Sequence, residues 1–471
     1  MRKWKKIVVS ACIAALCLCM TPLTVMAEGY QLSSDVSSKV KAKAAICVYT
    51  DLSVDAAAGI AGRDTVLFEK APDTPVSPAA SMRVIMGLYA KKLITDKKMD
   101  IDTATGVYTE ALNNNYVSGT GLSIANMEFG ETWKVRDLLN LSMIQTAADA
   151  AVTLASTTAG SVESFISGMN EYAASIGCTN THFMNVTGLD DEKQYTTAHD
   201  LYVAMRYAMD DPDLSKALAL TEYTVTPVKN GVTRSWENSN YMLRASSIYN
   251  YEPMVAGKTG VSEKDGKALV SLSVKDSYRY LTVVLGCPFS TGEDEDELTE
   301  SHYDSTEALV NWAMSSFAYQ TLLKKNQPMT RVDVGLSWSV DSLALLSEDA
   351  VNSVVPNELD LNTVRTEIKM NEDIYEAPIE KGQVLGEATL YIREDQVVGK
   401  VNLVAGESVK RSTLLFLWSR ICAVFSSPWL WAAFILLVVL LISYIVLAIA
   451  HNREKKRSAR NRGKRRYKPM K

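Results

Sequence analysis

The chain has 471 residues, 47% of them hydrophobic and 22% charged, a balance that excludes a disordered polar chain and leaves room for two or three folded domains. Its formal net charge is −5, but the last 21 residues hold 11 Lys/Arg against one Glu, and Arg2, Lys3, Lys5 and Lys6 crowd the other end. Removing that +10 tail and those four bases from −5 leaves −19, an acidic bulk that argues against nucleic acid as a partner.

Taken in chain order, the amino-terminal bases are followed by the apolar run IVVSACIAALCLCM and by Val25-Met26-Ala27. These are the three regions of a secretory signal peptide, so residues 1–27 are expected to be removed after Ala27 and the bulk of the chain to be exported. AAICVYT reads as a strand, DLSVDAAAGIAGRD as a turn-rich link and TVLFEK as a second strand. A helix is predicted from Ser81 to Leu93, and VRDLLNLSMIQTAADAAVTLAS carries one helical pattern throughout. In VESFISGMNEYAASIG the apolar residues recur at helical spacing and Gly177 marks the stop. MVAGKTGV, Met254 to Val261, precedes a predicted hairpin of ALVSLSVK and YLTVVLG joined through DSYR. Strands at both ends of a mainly helical middle imply one sheet with helices packed on it, over residues 40–323.

From 327 to 411 the texture changes to short alternating runs such as RVDVGLSWSV, TVRTEIKM, GEATLYIR and GKVNLVAG, the pattern of a small all-β sandwich. Residues 412–428, with Arg411 just before them and Arg420 among their Leu, Phe and Trp, read as a segment lying along a membrane surface. Trp429 to Ala450 is 22 residues without a charge, against the roughly 20 that cross a bilayer, so 429–450 is predicted to be a transmembrane helix. The basic tail 451–471 then stays in the cytoplasm, and its charge is explained by topology and anionic lipid.

Cys12, Cys17 and Cys19 leave with the signal peptide, and Cys422 lies beside the membrane. Three scattered thiols, Cys47, Cys178 and Cys287, do not make a disulfide framework, although one pair remains open. No short-range Cys/His spacing resembles a zinc site, and only His182, His199 and His302 lie outside the membrane, so neither metal nor cofactor is expected. Several conspicuous residues favour structural roles. Thr197 is a predicted N-cap and His199 a surface residue. Asn185 and Gly188-Leu-Asp190 form a turn, GEDEDELTE a solvated loop, and Trp236, Asn238 and Asn240 chiefly support structure beside the strand.

The ordered set AAICVYTDLSV, VLFEKAPDTPVSPAA, VSGTGLSIANMEFGETWKVRDLL, DAAVTLA, MNEYAASIGCTNTHFMNVTGLDDEKQYTTAHDL, GKTG and IEKGQVLGEATL resembles the serine D-alanyl-D-alanine carboxypeptidases, the low-molecular-weight penicillin-binding proteins. The resemblance implies an α/β (α+β) penicillin-binding or β-lactamase-like transpeptidase domain, then the small β-sandwich and the anchor. It also implies a link to peptidoglycan, with stem peptide or a wall-synthesis protein as partner. The family's Ser-x-x-Lys, Ser-x-Asn and Lys-Thr-Gly elements supply a serine nucleophile, its lysine base and the groove around them.

Carried over residue by residue, the first element falls on Ala80-Ser81-Met82-Arg83 and the second on Thr146-Ala147-Ala148. Ala80 has no nucleophilic atom, Arg83 is a guanidinium in place of the base, and Ala148 lacks the orienting amide, so acylation by the family route is expected to be absent. The third element, Lys258-Thr259-Gly260 with Val261, is intact and is expected to receive a ligand carboxylate, with the backbone N–H groups of Ala80 and Val261 as oxyanion donors. Arg83 is free in this reading to close the groove or to pair with Asp149. Two alternatives stand beside this binding protein: an active carboxypeptidase that uses Ser81 as a displaced nucleophile, and a structural scaffold. Ser38-x-x-Lys41 is a chance match in the polar lead, and Thr146 reads as a hydroxyl without an evident base.

Overall fold

The computed structural model describes residues 30, 32–51, 64–108, 120–289, 300–372, 374–392 and 396–464. The predicted signal peptide, most of DLSVDAAAGIAGRD, all of GEDEDELTE but Glu300, and the final residues 465–471 lie outside the described residues. The chain divides into two compact units, one of residues 1–320 with 352–365 and 391–399, the other of 321–351, 366–390 and 400–471.

In the first unit a short helix α1 (Ser34–Lys39) leads to strands β1 (Ala44–Tyr49) and β2 (Thr65–Lys70). A single 3-10 turn, Ala79–Met82, opens helix α2 (Arg83–Asp96). After the ribbon β3 (Ala104–Gly106) and β4 (Thr132–Lys134) come helices α3 (Val135–Ile144), α4 (Ala148–Ala159), α5 (Val162–Ser175), α6 (Ala198–Asp210) and α7 (Pro212–Ala219). A second ribbon, β5 (Glu222–Val225) with β6 (Arg234–Glu237), precedes the hairpin strands β7 (Met254–Ser262), β8 (Gly266–Lys275) and β9 (Tyr278–Cys287), and helix α8 (Ser301–Ser316) follows. Both ends of the segment therefore build one five-stranded sheet in the order β2-β1-β9-β8-β7, as expected from strands flanking a helical middle. Its neighbours pair antiparallel, with Ile46 opposite Val283, Val270 opposite Val283 and Lys258 opposite Val270.

The sheet is buried on both faces, which is why its strands read as nearly continuous apolar runs. Alternation still sorts them: Ala44, Ile46 and Val48 enter the core shared with the helical middle, while Ala45 and Cys47 enter a second core under Tyr303, Leu309 and Trp312 of α8. Each fully buried Ile, Val or Leu contributes about 1.5–3 kcal/mol by leaving water. Thr197 caps α6 by accepting from the Asp200 N–H at 3.1 Å, and Gly177 ends α5 with φ 99°. Cys47, Cys178 and Cys287 are each free and buried, so no pair among them is bridged.

The long pattern VRDLLNLSMIQTAADAAVTLAS is two helices, not one. It breaks at Gln145–Ala147, where Thr146 has φ 58°, a left-handed conformation that a β-branched residue seldom adopts. The apolar periodicity continues across the break because both helices pack against the same core.

The second unit contains most of a six-stranded sheet in the order β12-β14-β15-β11-β10-β13, where β10 is Pro328–Gly335, β11 Ser342–Ser347, β12 Arg365–Met370, β13 Tyr375–Glu376, β14 Val384–Ile392 and β15 Gln396–Ala405. In it β10 pairs parallel with β13 and antiparallel with β11, and β11 pairs antiparallel with β15. Beyond it, helix α9 (Thr413–Ser426) buries none of its residues, and the Arg411 and Arg420 guanidinium groups sit over the Phe416 ring at 4.0 and 5.0 Å. Helix α10 (Pro428–Lys464) contains a stretch, Pro428–Lys456, long and apolar enough to cross a membrane, in which an 18-residue window has a mean hydropathy of 3.1 and buries none of its residues.

Candidate functional site

The three carried-over elements converge at one edge of the sheet, where β7 meets the turn Ala79–Met82 and the break between α3 and α4. Close backbone approach explains the glycines there. A Cβ on Gly260 would stand 2.8 Å from the Ser81 nitrogen and 2.9 Å from the Ala80 nitrogen, and one on Gly188 would stand 2.5 Å from the Ala79 carbonyl oxygen. Only a residue without a side chain lets both segments press on the turn. Asp190 and Asp265 hold the approach to it: Ser77 donates its hydroxyl to Asp190 Oδ1 and its N–H to Asp265 Oδ2 at 2.8 Å, and Ser262 donates to Asp190 Oδ2 at 2.9 Å. The turn Asn185–Asp190 is itself closed by Asn185 Oδ1, which accepts from the Gly188 N–H at 2.8 Å.

Arg83 lies beneath this floor, fully buried. Its Nη1 donates to the carbonyls of Ala147 (2.9 Å) and Ser142 (3.2 Å), and its Nη2 to that of Thr187 (3.0 Å). It does not take up the hydrogen-bonded pairing with Asp149 left open by the sequence, because Asp149 already accepts from the N–H groups of Ala125 (2.9 Å), Met127 (3.1 Å) and Ala150 (2.8 Å). Burial pushes the Arg83 guanidinium down to about 9, with the Asp149 charge acting the other way. At neutral pH it remains a cation and cannot act as a base.

Lys258 is 1% exposed, and its Nζ donates to Thr146 Oγ1 at 2.6 Å, to the Thr259 carbonyl at 3.1 Å and to Ser239 Oγ at 3.5 Å. Burial, and after it the Arg83 charge, hold this ammonium well below the usual lysine range. Lys258 points inward and orders a row of hydroxyls, Thr146 to Ser239 at 2.8 Å and Ser239 to Thr259 at 3.4 Å. Thr146 and Ser239 are half-buried and Val261 is 57% exposed, so the row faces solvent on one side.

Ala80 is 8% exposed and offers only its backbone. Ala148 is fully buried, and its N–H is given to the Ser123 carbonyl at 2.8 Å, so nothing of it reaches the row of hydroxyls. Ser81 is fully buried too and donates its hydroxyl to the Pro78 carbonyl, which leaves a displaced nucleophile at that position without access to a ligand. Ser239 is the residue that sequence reading passed over. Asn238 donates to the Leu220 carbonyl at 2.6 Å and accepts from the Asn240 N–H at 2.7 Å, while the Ser239 N–H is held by the Ile144 carbonyl at 2.7 Å. The signal was present as the self-bonding turn ENSN, whose two asparagines fix the serine between them. Among the described residues no group of three or more His, Cys, Asp or Glu is placed to hold a metal ion. A separate cavity of about 1360 Å³, lined by Tyr30, Asp304, Trp312, Phe317 and Asn357, contains no residue of the three converging elements, although Ser38 and Lys41 of the chance match line it.

The chain matches the D-alanyl-D-alanine carboxypeptidase family over residues 35–288 and the penicillin-binding protein 5 C-terminal domain over 317–411. It is 26% identical to the D-alanyl-D-alanine carboxypeptidase DacF of Bacillus subtilis across 76% of this chain and 86% of that one, and 27% identical to DacC of Escherichia coli across 71% and 79%. Among solved structures it resembles penicillin-binding protein 5 of Haemophilus influenzae, with a TM-score of 0.59 and 20% identity over 81% of this chain and all of the other. By its sequence match and its fold, this chain belongs to the D-alanyl-D-alanine carboxypeptidase family.

Proposed function

We propose that this is a membrane-anchored, extracytoplasmic protein of peptidoglycan metabolism that binds stem peptide, or a wall-synthesis partner presenting similar chemistry, without the family's serine hydrolysis. The carrying observation is the pairing of Ala80 and Arg83 in a turn that Gly188, Gly260, Asp190 and Asp265 still hold against the Lys-Thr-Gly strand. The nucleophile and its base are gone, while the packing that shapes the groove is kept. A ligand carboxylate is received by the hydroxyl row of Thr146, Ser239 and Thr259, and the N–H groups of Ala80 and Val261 face the carbonyl beyond it. The domain plan belongs to the same proposal: signal peptide 1–27, carboxypeptidase-like domain 40–323, β-sandwich 327–411, interfacial segment 412–428, membrane helix 429–450 and cytoplasmic tail 451–471.

The test uses the full chain in detergent with a stem pentapeptide ending in D-Ala-D-Ala. Calorimetry is expected to show binding, weakened at least tenfold in Thr259→Val, with no D-alanine released over hours. Release of D-alanine that disappears in Ser81→Ala would restore the displaced-nucleophile enzyme. Absence of binding, with an unchanged cellular phenotype for Lys258→Ala, would favour the scaffold.

A further inference from the structure

Two large apolar side chains of the second unit, Trp338 and Ile374, lie open at one end of its sheet, 72% and 62% exposed. Trp338 is in the turn between β10 and β11, and Ile374 lies beside the end of β10, its Cγ2 4.0 Å from where a Cβ on Gly335 would stand. The turn is closed by the Val334 N–H, which donates to the Asp341 carbonyl at 2.9 Å. Within it the buried Ser337 hydroxyl accepts from the N–H groups of Ser339 and Val340, both at 3.3 Å, so the tryptophan between them is presented outward from a shaped loop.

The same turn is joined to the start of the membrane-proximal helix. Leu336 has φ 60°, a left-handed conformation uncommon for a residue with a side chain, and its carbonyl accepts from the Ser412 N–H at 2.8 Å. Ser412 is the N-cap of α9, its hydroxyl accepting from the Leu415 N–H at 3.3 Å. Trp338 is two residues from Leu336, a reach of at most about 7 Å, whereas the apolar face of an interfacial helix sinks about 5–10 Å into the headgroup and acyl boundary. A helix that brings Leu414 and Trp418 to that boundary therefore brings the turn there as well.

We propose that the turn Leu336–Val340, with Trp338 at its tip and Ile374 beside it, is a second membrane contact that inserts into the phospholipid leaflet on which α9 lies. The proposal rests on the reading of α10 as a membrane anchor. Tryptophan suits this boundary because its ring is apolar and its N–H finds a polar partner at headgroup level. Lys410 and Arg411 precede α9 while Asp341 and Glu376 border the turn, so the local charges balance and apolar burial, not anionic lipid, drives the contact. Two contacts joined through Leu336 and Ser412 hold the sheet domain at one height and tilt on the bilayer, where a single tether would let it turn.

The full chain, with Cys12, Cys17, Cys19 and Cys422 changed to serine and its buried thiols kept, carries one environment-sensitive fluorophore on Trp338→Cys, Ile374→Cys, Leu440→Cys or Ala350→Cys. Position 440 lies within the apolar stretch, and the exposed position 350 lies beyond the other end of β11. Each variant is checked by thermal melting and reconstituted in phosphatidylcholine vesicles with and without doxyl-labelled lipid. Quenching of at least about twofold is expected at 338, 374 and 440 and none at 350, and Trp338→Ser is expected to halve the quenching at 374. Quenching at 440 without quenching at 338 and 374 overturns the contact and leaves the anchor standing. A blue-shifted but unquenched probe at 338 means that protein covers the turn, and equal quenching at 350 means that the whole sheet lies on the bilayer; either overturns the assignment. No quenching at 440 removes the anchor and the proposal with it.

Discussion

The Arg83 guanidinium fastens three carbonyls from three segments, those of Ser142 near the end of α3, Ala147 in the helix break and Thr187 in the turn before Gly188. Replacing it by methionine keeps much of the volume but leaves buried acceptors unpaired, and Arg83→Met is expected to cost about 2–3 kcal/mol in denaturant unfolding. Lys258 behaves in the opposite way. Its folded-state pKa is depressed, so as pH falls below the ordinary lysine range the unfolded chain takes up a proton that the folded chain does not, and stability drops. Lys258→Met removes that penalty and is expected to stabilise the protein at pH 7 by about 0.5–2 kcal/mol while abolishing ligand binding, a trade seen where a site holds a strained or buried polar group. Melting and binding measured on one preparation check both halves.

At the scale of elements, β7 and the 3-10 turn are held in contact by the absence of a side chain at Gly260. Gly260→Ala drives a Cβ against the backbone of the turn and is expected to cost about 1–3 kcal/mol and to weaken stem-peptide binding more than Gly106→Ala, whose Cβ would meet nothing within 4 Å. Helix α8 carries an acid-sensitive residue at its start. Burial, with the Lys267 charge, pushes the His302 imidazole down to about 3, and its ring stacks on Tyr303 with centroids 3.9 Å apart. The stability that neutral His302 supports is present above about pH 6.5 and lost as pH falls toward about 3, because the unfolded chain binds the proton first. Plotted against pH, the melting temperature of His302→Phe is expected to fall less steeply over that interval than that of the unaltered chain. Most of these elements were legible from spacing. The break at Thr146 was not, because two helices that share a core keep one apolar rhythm across it. Ser239 was hidden for a related reason, since its role comes from the Ile144 carbonyl and from Thr146, both about 95 residues away in sequence.

For the whole molecule, the stretch Pro428–Lys456 is long and apolar enough to anchor the chain in a membrane. A chain ending at Ser412 is expected to be released from membranes by alkaline washing, whereas the full chain requires detergent, as fractionation of the two will show. The sequence by itself determined the family, the mixed helix-and-sheet domain followed by a sheet domain, and an apolar stretch long enough to cross a membrane, because these follow from ordered motifs, local periodicity and hydropathy. Only the tertiary structure decided that Arg83 braces the floor and that Ser81 is shut away. It also decided that Lys258 turns inward onto Thr146 and Ser239. Those outcomes depend on which backbone groups a buried cation finds within reach, and folding alone brings residues 83, 146, 187, 239 and 258 to one place.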